Sequence, residues 1–322
     1  AAGRVLRTVT THIEYPFTGE NEVDREDIYA LIAAGVEQAY QDFLKEQTGE
    51  EIRFYCVGHS VVRYYLNGYP MGNLEGHKAR TIGVDLIATF LPEDVVDGLY
   101  KAVEIAGLEV GSLTLEPIAA IQLAIPERFR MLNIALLDVG AGTTDISITN
   151  DGCILAYGMI PMAGDILTET IAKHCLVDFA TAEMIKRSAG CQEEISYMDI
   201  MLLPQTITAE EVKANFAGDS LLLSKKGASL RMIGDRILEL NGGKPVSAVF
   251  VVGGGGKIPG YTEAIAEKLG IAKERVALRG EEVMQQIIFE EEIKKDSLLV
   301  TPVGICLNFY EQSNNFIFVN FN

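Results

Sequence analysis

Residues 136–148 read Leu136-Leu137-Asp138-Val139-Gly140-Ala141-Gly142-Thr143-Thr144-Asp145-Ile146-Ser147-Ile148. The pattern is strand, tight glycine turn, strand. The apolar run 132–139 marks a strand buried on both faces. Gly140 and Gly142 permit backbone angles that a Cβ disfavours and let amide N–H groups approach a ligand closely. Successive amides in such a turn form a nest for an anion, and Thr143 and Thr144 add hydroxyl donors. Asp138 ends the first strand. A buried, unpaired carboxylate there is costly, and the cost is explained if it faces Mg²⁺ through water. The bland alternative is a hairpin with a capping aspartate. The full D-x-G-x-G-T-T-D pattern between two apolar strands argues against it.

Outward from this segment the chain alternates helices and strands. Upstream, an edge strand is expected over 4–15 and a helix, capped by Asp24, over 24–46. Strands follow at 52–57, 61–66 and 81–90, then a helix at 92–106 stopped by Gly107, a strand at 108–115 and a helix at 116–124. Downstream, 144–149 and 154–160 pair across Asn150-Asp151-Gly152. Helices are expected near 163–175 and 180–188, and Thr208 with Glu211 forms a capping box. A buried strand over 246–252 runs into Gly253-Gly254-Gly255-Gly256 and a helix over 259–269. A helical stretch over 282–308 and a last strand over 315–321 complete the pattern.

Composition narrows the function. The chain has 322 residues, 48% of them hydrophobic, and a formal charge of −18. It has material for two packed lobes. The acidic balance opposes nucleic-acid binding and direct adhesion to an anionic membrane. No apolar run reaches the roughly 20 residues that span a bilayer. Five scattered cysteines without a C-x-x-C pair argue against a disulfide scaffold or zinc site and fit a cytoplasmic protein.

The segment at 136–148 resembles the second phosphate loop of the actin, Hsp70 and sugar-kinase superfamily, and three further pieces stand in that superfamily's order. Leu115-Glu116-Pro117-Ile118-Ala119-Ala120 is similar to its connecting helix, which implies that Glu116 orients the attacking water. Read alone, Glu116 is a helix-start glutamate beside Pro117. Thr181-Ala182-Glu183-Met184-Ile185-Lys186 is similar to the helix beside the nucleoside. The resemblance implies Glu183 on the ribose hydroxyls and Lys186 along the adenine; read alone they are an (i, i+3) ion pair. Val249–Gly260 resembles the adenosine loop and implies contacts from Gly253, Gly254, Gly255 and Gly256. Read alone, this glycine run is a weak dinucleotide fingerprint. Gly164 stands where the superfamily has a glycine turn near the phosphates.

The resemblance implies an α/β, actin-like ATPase (ribonuclease H-like) two-domain fold with ATP and Mg²⁺ as cofactors. Glu116 and Asp138 would be the catalytic pair, Asp138 would hold Mg²⁺ through water, and Gly140, Ala141, Gly142, Thr143 and Thr144 would hold phosphates. Within the superfamily the chain most resembles the FtsA cell-division family. The implied organisation is an FtsA-type subdomain over 1–107, the rest of domain 1 with the connecting helix over 108–130, domain 2 over 131–294 with an insertion near 190–230, and a return to domain 1 over 295–322. That family implies slow ATP hydrolysis, nucleotide-dependent polymerisation, an FtsZ-like partner bound through the insertion, and membrane association through a partner or a segment outside this chain. Alternatives are a pilus-assembly or microcompartment module, an Hsp70-like chaperone, and a non-hydrolysing scaffold. The superfamily's first phosphate loop, D-x-G-x-x, has no counterpart ahead of Glu116, which implies a missing half of domain 1 and weak ATP binding.

Overall fold

The computed structural model describes residues 5–46, 52–212, 228–258 and 260–313. Strands β1 (Arg7–Glu22), β2 (Phe54–Leu66), β3 (Tyr69–Met71) and β4 (Lys78–Pro92) form an antiparallel sheet in the order β1-β4-β2-β3. Helix α1 (Arg25–Glu46) covers one face, burying Leu31, Val36, Ala39 and Phe43 against Ile82, Leu86 and Phe90. Its start is fixed by Asp24, whose Oδ1 accepts from the Asp27 amide at 2.9 Å while the Asp24 amide donates back to Asp27 at 3.2 Å. The two strands expected at 52–57 and 61–66 are one bulged strand, because the ladder to β4 absorbs register shifts near Gly58 and Val61 without breaking. Helix α2 (Glu93–Ile105) follows.

The second sheet holds the core of the molecule. Its strands are β5 (Ile134–Val139), β6 (Thr144–Asn150), β7 (Cys153–Ile160), β10 (Ala248–Val252) and β11 (Val276–Leu278), in the order β11-β10-β5-β6-β7. Strands β5, β6 and β7 are an antiparallel meander, whereas β10 and β11 run parallel to β5. The β6–β7 turn has φ +52° at Asp151 and +82° at Gly152, the twist-matched hairpin turn that Asp-Gly favours.

Helices cover both faces of this sheet. On one side, α3 (Glu116–Ala124) and α8 (Val300–Ser313) pack on Ile134, Leu136 and Val252. On the other, α6 (Ala228–Leu240) and α7 (Tyr261–Leu269) pack on Leu137, Val139, Ile146 and Val249. A satellite core joins α4 (Gly164–Cys175), α5 (Phe179–Ser188) and the hairpin β8 (Glu194–Met198)–β9 (Pro204–Thr208). Strands β2 and β7 bring the two sheets into contact.

Two further expectations are corrected. Residues 108–115 form no strand among the described residues; with no neighbouring strand to complete a ladder, apolar alternation alone does not make one. Within 282–308 only the 3-10 turn Ser297–Leu299 and α8 are regular beyond Val283. The β8–β9 hairpin occupies residues 194–208. The strand expected at 315–321 lies outside the described residues.

Candidate functional site

Strands β5 and β10 are parallel neighbours with Asp138 opposite Val252. Their chains therefore leave the sheet side by side, one into the turn at 140–143 and the other into Gly253–Gly256. Carboxyl ends of adjacent parallel strands are where open α/β sheets form ligand crevices. Gly253 has φ +84°, and a Cβ there would lie 2.5 Å from the Val139 carbonyl oxygen and 2.7 Å from Asp138 Oδ1. Only glycine fits that conformation and approach. A Cβ at Gly255 would meet Val139 Cγ1 at 2.6 Å and the Gly140 oxygen at 2.8 Å. Gly254 and Gly256 face elsewhere, against Leu298 and against Val251 and Leu278 respectively.

The turn at 140–143 is braced from two directions. The Gly140 amide donates to the Thr143 carbonyl at 3.0 Å, closing the turn. The first amides of α4 reach it as well: Gly164 N–H donates to the Gly140 carbonyl at 3.1 Å and Asp165 N–H to the Ala141 carbonyl at 2.8 Å. Thr144 is fully buried and donates to the Met162 carbonyl at 2.9 Å. A Cβ at Gly164 would contact the Gly140 oxygen, Lys186 Nζ and Gly255 Cα at 3.3, 3.6 and 3.8 Å. Four segments singled out from sequence thus meet at Gly164.

Lys186 and Glu183 sit at this junction as an ion pair. Lys186 Nζ also donates to Thr168 Oγ1 at 2.7 Å and to the Gly164 carbonyl at 3.3 Å. Glu183 accepts from Thr168 at 2.7 Å and from Arg187 at 2.9 Å. Burial opposes the Glu183 charge, but the hydrogen bonds from Lys186, Thr168 and Arg187 outweigh it and hold its pKa at about 2.

Three carboxylates form the other wall. Asp138 and Asp145 are directly paired across β5 and β6, which puts both side chains on one face about 5 Å apart at Cβ. Glu116 begins α3 beside them, with Pro117 at the first helical turn. Burial raises the pKa of all three. The charge of Asp138 adds to the shift at Glu116, and the charges of Glu116 and then Asp138 push Asp145 to about 7. At Asp138 the rise is opposed by Thr301, whose Oγ1 donates to Oδ2 at 2.5 Å. A cavity of about 440 Å³ opens beside Glu116 and Asp145, bordered also by Tyr157, Arg236, Leu113 and Ile305.

Asp145 and Thr301 were not among the residues singled out from the sequence. Asp145 had a signal, the closing aspartate of D-x-G-x-G-T-T-D. Thr301 lies 163 residues from Asp138, and only the fold brings it there. Among the described residues no three His, Cys, Asp or Glu side chains are placed to hold a metal directly. The carboxylates suit a hydrated cation, whose charge would relieve their mutual repulsion.

Two sheets with helices on both faces of the second, and glycine loops at the ends of β5 and β10, define the actin-like ATPase fold. A family model for the cell division protein FtsA matches residues 135–298, just over half of the chain. The chain belongs to the FtsA family. It is similar to the FtsA of Pseudomonas aeruginosa, with 38% identity over 93 residues, 29% of this chain and 22% of that protein. Against the FtsA of Escherichia coli K12 identity is 34% over 98 residues, 30% of this chain and 23% of that protein. The aligned stretch thus spans less than a quarter of these relatives. Among solved structures, the PilM-PilN type IV pilus biogenesis complex matches with a TM-score of 0.60 at 17% identity, over 94% of this chain and 76% of that one. MreB5 of Spiroplasma citri bound to ADP matches with a TM-score of 0.51 at 20% identity, over 69% of this chain and 68% of that one. These two show the fold.

Proposed function

We propose that the chain binds ATP with Mg²⁺ between the turn at 140–143 and Gly253–Gly256, and that it serves as a nucleotide-dependent cell-division scaffold with slow hydrolysis. The observation that carries this reading is the meeting of Gly140, Gly164, Lys186 and Gly255 at one junction walled by Glu116, Asp138 and Asp145. The remaining amides of the turn and the Thr143 hydroxyl face the phosphates, whereas the Gly140 amide and the buried Thr144 hydroxyl are committed to the Thr143 and Met162 carbonyls. Glu183 takes the ribose hydroxyls and Lys186 lies along the adenine, the roles that the family resemblance implies. Bound Mg²⁺ would neutralise phosphate charge and polarise the phosphoryl group. Asp138 would hold its hydration shell, and Glu116 orients the attacking water and accepts its proton as the bond from the γ-phosphorus to the bridging oxygen breaks and ADP leaves, a role suited to a carboxylate raised by burial. Positioning supplies the rest of the acceleration. Phosphate release with Glu116→Gln tests the assignment: a loss of turnover of about a hundredfold with nucleotide affinity intact supports it, and unchanged turnover overturns it.

The partner surface in this reading is the tip of the β8–β9 hairpin. Ile200, Met201, Leu202 and Leu203 are 75, 72, 76 and 54% exposed in succession. They are held rigidly: Asp199 Oδ1 accepts from the amides of Met201 and Leu203 at 2.8 and 3.0 Å, and Leu202 has φ +58°. An FtsZ-type tail is the partner assigned to it. The second reading is a nucleotide-gated module of the pilus-assembly kind, supported by the breadth of the fold match. Pull-down with an FtsZ tail peptide separates the two, because only the first predicts capture that Leu202→Asp abolishes.

A further inference from the structure

The segment 296–301 grips both halves of the candidate site. Asp296 pairs with Lys257 at 2.6 Å and caps the turn that follows through the Leu298 amide at 2.8 Å. Ser297 accepts the Gly253 amide on its carbonyl at 3.0 Å and returns its hydroxyl to the Gly253 carbonyl at 3.1 Å. Four residues later, in the first turn of α8, Thr301 donates to Asp138 Oδ2. Asp138 Oδ1 meanwhile lies against Gly253. The Asp138 carboxylate is therefore fixed at Oδ2 by a hydroxyl, with Oδ1 on the side of the Gly253 loop.

An aspartate's terminal torsion is broad and two-fold when nothing holds it. A hydrogen bond to one oxygen removes that freedom and leaves the carboxylate set for a single cation position. The group that holds a metal-binding carboxylate matters nearly as much as the carboxylate. The anchor is itself rigid. Gly304, one turn along α8, presses on α3 so closely that a Cβ would overlap the Ala119 carbonyl. Asn308 donates to Thr114 Oγ1 at 2.8 Å, just ahead of Glu116.

We infer that Thr301 is a positioning residue for Asp138, orienting its carboxylate for hydrated Mg²⁺ and tying that orientation through Ser297 to the Gly253 loop. This rests on the nucleotide reading above. Thr301 acts through Asp138 and not on a phosphate.

The test is calorimetric binding of ATP to the whole chain, with Mg²⁺ and with the metal chelated, for wild type, Thr301→Val and Thr301→Ser. Valine keeps the shape and loses the hydroxyl; serine keeps the hydroxyl. The expected result is a loss of about tenfold or more in Mg·ATP affinity for valine, little change in metal-free ATP binding, and recovery with serine. Equal Mg·ATP affinity in wild type and valine variants overturns the role of Thr301 and leaves the nucleotide site standing. So does an equal loss with and without metal, or a serine variant as weak as valine. Absence of Mg·ATP binding in folded wild type overturns the nucleotide reading and this inference with it.

Discussion

Asp145 carries the clearest consequence at the scale of a residue. Its pKa in the metal-free fold is about 7 against an ordinary 3.8. A carboxyl raised in the folded state stabilises fully below its unfolded pKa, and that stability is lost as pH rises through the folded value. The metal-free protein should thus weaken between about pH 4 and pH 7, and Asp145→Asn should flatten that dependence. The asparagine variant should be more stable at pH 8 by about 2–4 kcal/mol, read from urea midpoints at pH 5 and pH 8. Excess Mg²⁺ should reduce the difference; a variant no more stable than wild type at pH 8 would refute the burial of the Asp145 charge beside Glu116 and Asp138. Gly253→Val should destabilise the fold and remove nucleotide binding, since its Cβ would fall 2.5 Å from the Val139 oxygen at a positive φ. The glycine of the 253 loop was legible because local sequence encodes it, but the expected ligand-facing hydroxyl of Thr144 was not borne out: the fold buries it on the Met162 carbonyl, and neither Gly140 nor Gly142 has a positive φ. Thr301 was not legible, because its contact crosses 163 residues and no short pattern announces it.

At the scale of elements, the caps and turns followed the sequence closely. Asp24, Thr208 with Glu211, and Asp151-Gly152 stand where their chemistry demands. Thr208→Ala removes a reciprocal capping pair, with the Thr208 amide on Glu211 at 2.8 Å and the Glu211 amide on Thr208 at 3.1 Å. It should cost about 1 kcal/mol in chemical denaturation. The crossing of α3 and α8 was not legible. It depends on Gly304 meeting the Ala119 carbonyl, and Gly304→Ala should cost about 1–3 kcal/mol as the helices are forced apart, with a matching fall in the urea midpoint. The stretch 108–115 shows the converse failure. Its apolar alternation reads as a strand, but a strand exists only through its neighbours, and those are set by the whole fold.

At the scale of the molecule, the α/β class and the order of the site segments were readable because each segment couples a strand end to a glycine turn or helix start. The packing of the two sheets through β2 and β7 was not, since neither strand names its partner. No helix among the described residues is long and apolar enough to cross a membrane. The ordered apolar tip at Ile200–Leu203 is the feature that a scaffold would present to a partner. Every role proposed for these residues depends on nucleotide binding, so the decisive measurement is a Mg·ATP titration of this chain by calorimetry, with Asp138→Ala and Gly253→Val alongside. Saturable, Mg²⁺-dependent binding in the wild type, lost or much weakened in both variants, is the predicted result. A folded wild type that takes up no Mg·ATP, or variants that bind as the wild type does, would contradict it.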